Sequence, residues 1–286
     1  LGEERGKSPA DALVNYRSYL LWDKHPELIR PVNLYRPWHV MSVTQVVDAE
    51  LCPRRWWYRH PGGLRTKKTN ALSFGTQFHR AIEAWIKREE PPTRSTAYVW
   101  KAIEFLQLQD RRLYRGMVHN ELEFAFPLDG VGTVVGSIDL VDERDPELLH
   151  VADFKTGSDP VRYGKTPTEL ARNTQLGLYA VVFGSRFARP PREIMLTHMN
   201  VQSRPPHKVL PTSTTISWGQ ALETYARFEQ TARELAAYSY YEAEDVPATP
   251  REGESCAMYR PGGCPYQTMC SSAITTIARS AKPSLT

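Results

Sequence analysis

No stretch of this chain is apolar for long enough to cross a bilayer, and its first residues lack the basic-then-apolar order of a secretory signal. The expectation is a soluble protein of the cell interior, cytoplasmic and nucleoid-associated if the source is bacterial. Leu1 in place of an initiator Met leaves room for earlier residues, and with them for a targeting signal. There is no G-x-x-x-x-G-K-[ST] loop and no Gly-rich dinucleotide turn, so the chain is not expected to hydrolyse ATP alone. Internal repeats and low-complexity tracts are absent too. Charge of one sign is scarce: 36 Lys and Arg stand against 32 Asp and Glu, a formal net charge of +4. Global basicity therefore lends little support to nucleic acid as a partner.

At 286 residues the chain can bury a substantial core. Its pattern runs helical, then mixed, then helical. Residues 11–22 are weakly helical. Ser42 with Gln45 three positions on makes a capping box for a short helix ending near Cys52 and Pro53. Phe78, Ile82, Trp85 and Ile86 recur at helical spacing within 74–90, which stops at Pro91 and Pro92, and a second helix is expected over 97–114. Strands follow at 121–126, 131–141 and 148–154. Thr166, Pro167 and Glu169 open a helix that should run to about 183 and end at Gly184. A strand at 193–201, a Pro-rich loop at 204–212 and a long helix over 217–240 complete the series. The implied fold class is α/β, a central mixed sheet flanked by helices.

The most informative chemistry lies on two of those strands. Asp139 sits in GSIDL, and Asp153 and Lys155 sit in VADFKTG. Residues two apart on a strand share a face, so Asp153 and Lys155 point the same way, and a hairpin would bring Asp139 beside them. Two carboxylates and a lysine so placed can hold a divalent metal against a phosphodiester with a cation beside the attacking water. A D-x-K triplet also arises by chance, and a buried Asp–Lys ion pair would explain two of the three residues without any chemistry. His79, one residue beyond Phe78, can supply an imidazole ligand, although a lone histidine is commonly just a packed or exposed one. Gln175 and Tyr179 are four apart on one helix face, where one can hold a phosphate or the lysine and the other stack or donate a hydrogen bond; Tyr179 fits the core equally well. Glu121 and Glu123 share a strand face, and one of them is a secondary candidate near the metal.

Two further groups stand out. Residues 52–60, with Arg65, Lys67 and Lys68 after them, interleave cations with rings, either as a nucleic-acid surface or as a helix with aromatics inward and arginines in solvent. The four cysteines are Cys52, Cys256, Cys264 and Cys270. Four thiolates fit zinc or a four-iron cluster, whereas two disulfides would suit an extracellular protein better. With one ligand so far upstream, such a centre would clasp the ends of the chain together.

The pieces Ser42-Val43-Thr44-Gln45, Cys52-Pro53-Arg54-Arg55, Gly75-Thr76-Gln77-Phe78-His79, Gly136-Ser137-Ile138-Asp139, Asp153-Phe154-Lys155-Thr156-Gly157 and Gln175-Leu176-Gly177-Leu178-Tyr179 stand in one order along residues 42–270. In this the chain resembles the PD-(D/E)XK nuclease superfamily, in particular its RecB-like, Cas4-like branch with an iron–sulfur clasp. The resemblance implies a 42–270 nuclease domain between an N-terminal helical extension (1–41) and a C-terminal tail (271–286). It implies Mg²⁺ or Mn²⁺ held by His79, Asp139, Asp153 and the carbonyl of Phe154, with Lys155 as the motif's lysine. Gln175 and Tyr179 would be its QxxxY pair, and Cys52, Cys256, Cys264 and Cys270 would hold a [4Fe–4S] cluster, with Zn²⁺ the alternative. The chain departs from the family between Cys256 and Cys264, where seven residues stand in place of the commoner two.

The expected activity is a metal-dependent deoxyribonuclease, an exonuclease on single-stranded DNA or DNA ends that leaves 5′-phosphates. Lys155 would orient the nucleophile or stabilise the growing charge, or act as a neutral base if burial lowers its pKa. The alternative is a catalytically weak DNA-binding or adaptor subunit of a repair, recombination or phage complex. DNA is the expected partner and no membrane is. The missing motor leaves room for a helicase or recombination partner, which the sequence does not identify; nor does it set the oligomeric state.

Overall fold

Apolar runs of the middle third alternate with turn-forming residues, and in the computed structural model they pair into the heart of a six-stranded mixed sheet. The structure describes residues 40–64, 70–88, 90–110, 112, 115–249, 256 and 264–270. The expected helical extension up to residue 39 and the tail at 271–286 lie outside the described residues. The strands are β1 (Val40–Ser42), β2 (Val118–Leu128), β3 (Gly132–Asp145), β4 (Leu148–Gly157), β5 (Glu193–Gln202) and β6 (Val209–Ser217). The helices are α1 (Val43–Leu51), α2 (Pro53–Arg59), α3 (Asn70–Arg88), α4 (Val99–Phe105), α5 (Pro160–Tyr163), α6 (Pro167–Ala171), α7 (Thr174–Gly184) and α8 (Trp218–Tyr238).

The sheet order is β1-β3-β4-β5-β6, with β2 along the free edge of β3. Strands β1/β3 and β4/β5 are parallel, and the other pairs are antiparallel. Because β2 pairs with β3 from Gly132 to Asp142, the opposite edge of β3 must serve two neighbours. There β1 takes Thr133 to Val135, and β4 takes Leu140 onward. The sheet forks between them, and Asp139 stands at the fork.

One sheet face packs against α1, α7 and α8 through residues such as Val46, Val151, Leu176, Leu196 and Phe228. The other face packs against α3 and α4 through Phe78, Ile82, Ile103, Phe154 and Met199. Buried on both sides, α7 lies so close to α8 that a Cβ at Gly177 would strike the side chain of Thr224. Several boundaries differ from the sequence expectation. The expected 97–114 helix is only α4. The expected 167–183 helix breaks at Arg172, and Asn173 restarts it by accepting a hydrogen bond from the Leu176 N–H at 2.9 Å. The Pro-rich 204–212 loop yields to β6 from Val209; Pro211 is tolerated because β6 is an edge strand. No described helix is long and apolar enough to cross a membrane.

Candidate active site

Alternation along β4 sends Ala152 and Phe154 into the α3 side of the core and places Asp153 and Lys155 on the face that α7 covers. At the fork, the Phe154 N–H has no ladder carbonyl to meet and donates instead to Asp139 Oδ2 at 2.6 Å. That bond locks the first carboxylate against the strand that carries the second. From the α3 side, His79 Nδ1 comes within 3.8 Å of Asp139 Oδ1. Gly75 permits this approach, since a Cβ there would meet Thr156 Oγ1 at 2.9 Å.

Glu121 joins this group. Its φ of +48° interrupts the regular pairing of β2 with β3, and the Asn120 side chain takes over the carbonyl of Asp139 at 2.6 Å. Glu121 Oε1 then lies 2.8 Å from His79 Nδ1, and Ser137 Oγ donates to Oε2 at 3.3 Å. His79, Glu121 and Asp139 each offer one donor atom, all within 4.8 Å of one another, and among the described residues this is the group that can hold a metal ion. One nitrogen and two carboxylate oxygens suit Mg²⁺ or Mn²⁺. Glu123, the other half of that secondary candidate, is exposed.

Asp153 stands beside that trio and is almost fully buried. Its Oδ2 lies 2.7 Å from Lys155 Nζ. Lys155 also donates to Gln175 Oε1 at 3.0 Å, and Gln175 Nε2 donates to Tyr179 Oη at 2.9 Å. Gln175 and Tyr179 are both buried, so the pair acts on the lysine and offers no surface on which a base can stack.

The electrostatics follow from this crowding. Burial and the charge of Asp153 push Asp139 up to about 7, against the pull of His79, the Phe154 N–H and Lys155. Burial opposes the charged form of His79, but the hydrogen bond with Glu121 and the charges of Asp139, Glu121 and Asp153 outweigh it and raise the imidazole to about 9. Lys155 is raised as well: burial works against the ammonium, and Asp153 and Asp139 more than restore it. The lowering by burial that a neutral lysine base needs is outweighed in this arrangement by the two carboxylates. Tyr179 is held far into its protonated form by burial and by Asp153.

In the basic and aromatic segment Trp56 and Tyr58 face inward and Arg59 faces solvent, as one of the two sequence readings has it, but two of its arginines depart from both readings. Arg54 and Arg55 are buried rather than turned to phosphate or solvent. Arg54 donates to the carbonyls of Val246 (2.9 Å) and Glu244 (2.8 Å) and to the Glu244 carboxylate (3.1 Å). Asp48 takes Arg55 at 2.9 Å and Arg59 at 2.6 Å. Tyr58 packs on Cys264 and Tyr266, with Cys256 and Cys270 against them. None of the four cysteines is in a disulfide. Burial pushes the Cys264 thiol up, against the Tyr266 N–H and Arg55, and the charges of Cys256 and Cys52 push the same way. Arg65, Lys67 and Lys68 lie outside the described residues.

A forked mixed sheet that presents a histidine–carboxylate cluster beside a D-x-K strand is the framework of a nuclease core. The family model of the PD-(D/E)XK nuclease superfamily matches residues 40–271, and the chain belongs to that superfamily, whose members use divalent metals. Among solved structures, it is similar to that of SSO0001 (15% identity, 92% of this chain and 95% of the other covered, TM-score 0.40). It is also similar to a provisionally designated exonuclease from Eubacterium rectale (12% identity, 77% and 86% covered, TM-score 0.43). No curated protein matches the chain.

Proposed function

We propose that the chain is a metal-dependent deoxyribonuclease of the RecB-like, Cas4-like branch, an exonuclease acting on single-stranded DNA or DNA ends. The observation that carries this reading is the continuity of the polar chain: His79, Glu121 and Asp139 form a metal-type donor set, and Asp153 next to it hands on to Lys155, Gln175 and Tyr179. His79, Asp139, Asp153 and the Phe154 carbonyl would hold Mg²⁺ or Mn²⁺, with Glu121 added to the set the sequence suggested. When bound, the cation supplies Lewis acidity that lowers the pKa of the attacking water and offsets charge on the phosphoryl oxygens. Lys155, kept as an ammonium, steadies that same charge. Gln175 fixes its direction, and Tyr179 fixes the Gln175 amide. Departure of the 3′ oxygen leaves a 5′-phosphate.

In this reading Cys52, Cys256, Cys264 and Cys270 hold a [4Fe–4S] cluster, with Zn²⁺ as the alternative occupant, and the fixing of α2 to Glu244, Val246, Cys264 and Tyr266 supports a clasp there. A helicase or recombination partner would supply the motor the chain lacks. The test is cleavage of end-labelled single-stranded and duplex DNA by anaerobically purified protein with Mg²⁺ or Mn²⁺, beside Asp153→Ala, while the visible absorbance and metal content are recorded. Cleavage that needs the metal and is lost in Asp153→Ala is the expected result; the label position gives polarity and end chemistry. Two folded proteins that both leave every substrate intact would defeat the stand-alone enzyme and favour the binding or adaptor role.

A further inference from the structure

Asp153 carries a neighbour that the D-x-K pattern does not include. Strands β4 and β5 run parallel with Asp153 directly opposite His198, so both side chains lie on the face covered by α7. His198 is 3% exposed, and its Nε2 stands 3.7 Å from Asp153 Oδ2. The imidazole nitrogen is buried and without a hydrogen-bond partner, whereas Asp153 Oδ2 is buried with Lys155 Nζ as its close cation at 2.7 Å. A buried polar nitrogen left unpaired is costly, and Nε2 facing a carboxylate oxygen is satisfied there if it carries a proton, since that oxygen can accept a second bond beside the one from Lys155. The carboxylate can only accept, so the proton belongs on the imidazole. The gap exceeds hydrogen-bond range by about 0.5 Å, within reach of a small side-chain rotation.

We infer that His198 is a positioning residue that donates its Nε2–H to Asp153 Oδ2, fixing the carboxylate so that its other oxygen faces the metal site. This rests on the nuclease reading above. The need for it follows from the double duty of Lys155. That ammonium is the close cation of Oδ2, at 2.7 Å. When Lys155 turns to a phosphoryl oxygen, Oδ2 loses it, and His198 is the remaining donor fixed beside that oxygen. A ring anchored on β5 keeps Asp153 aimed while the lysine moves. Histidine meets these demands because it is neutral, rigid and long enough to bridge two strands.

The test compares His198→Leu with His198→Gln, whose amide nitrogen reaches about where Nε2 lies. Mn²⁺ affinity is measured by calorimetry on the full chain without DNA, with thermal melts to confirm folding. His198→Leu is expected to weaken Mn²⁺ binding by roughly 10–100-fold, and His198→Gln to restore most of it. Equal affinity of His198→Leu and wild type would overturn the inference. Absence of Mn²⁺ binding in the wild type would instead defeat the metal-site reading on which it stands. Nitrogen NMR of the wild type needs no variant: an Nε2–H tautomer at His198 supports the assignment, and an Nδ1–H tautomer with Nε2 bare overturns it.

Discussion

At the scale of single residues the site is a problem of proton bookkeeping. A divalent cation binds His79 as neutral imidazole and Asp139 as carboxylate, so it must displace the proton each holds. His79 is raised to about 9 and Asp139 to about 7. Both shifts are upward, so both groups are protonated at low pH and compete with the metal there. Mn²⁺ affinity is therefore expected to rise with pH, with a slope in log K of about one per pH unit between 7 and 9 and approaching two below 7. Calorimetry in buffers of different ionisation heat counts the protons released. Affinity that is flat from pH 6 to 9 would mean that these two groups are not ligands.

At the scale of elements, the fold depends on two helices meeting the sheet at fixed heights. The contact between α7 and α8 at Gly177 holds Gln175 over Lys155, and a methyl there collides with Thr224. Gly177→Ala should cost about 1–3 kcal/mol, read as a lower urea midpoint at unchanged slope. No loss would show that α8 yields at that point. The helices and central strands were legible in the sequence because helical spacing and apolar runs are local signals. The D-x-K face and the QxxxY spacing were legible for the same reason. What was missed depends on pairing: β1 is three residues long, β6 contains Pro211, and the break before Asn173 is a cap inside an apolar run. Glu121 was visible only as a secondary choice, since its approach to His79 comes with a left-handed backbone turn. His198 could not be found at all without the β4/β5 register.

At the scale of the whole molecule, the question is what ties the residues after α8 to α2. Residues 52–60 looked like a surface for nucleic acid because cations and rings alternate there, and composition cannot report that Arg54 is 6% exposed. Its guanidinium is a rivet: it ties the start of α2 to the backbone at Glu244 and Val246, while the Arg54 N–H donates to the Pro247 carbonyl at 3.1 Å. Tyr58 donates to Met269 and Tyr266 to Leu64, extending the same seam to the cysteines. The seam is formed by elements other than those that carry the metal-type trio, which lies on α3, β2 and β3. Arg54→Leu takes the donor from the buried Val246 carbonyl and the part-buried Glu244 carbonyl and should cost about 1–3 kcal/mol, seen as a lower midpoint of thermal or urea unfolding. Limited proteolysis should then cut first within residues 239–270. If the seam and the metal site are energetically separate, Mn²⁺ affinity of the folded variant stays within about twofold of wild type, as expected for groups without shared partners. A variant that loses Mn²⁺ along with its C-terminal protection would show instead that the clasp holds the active site together.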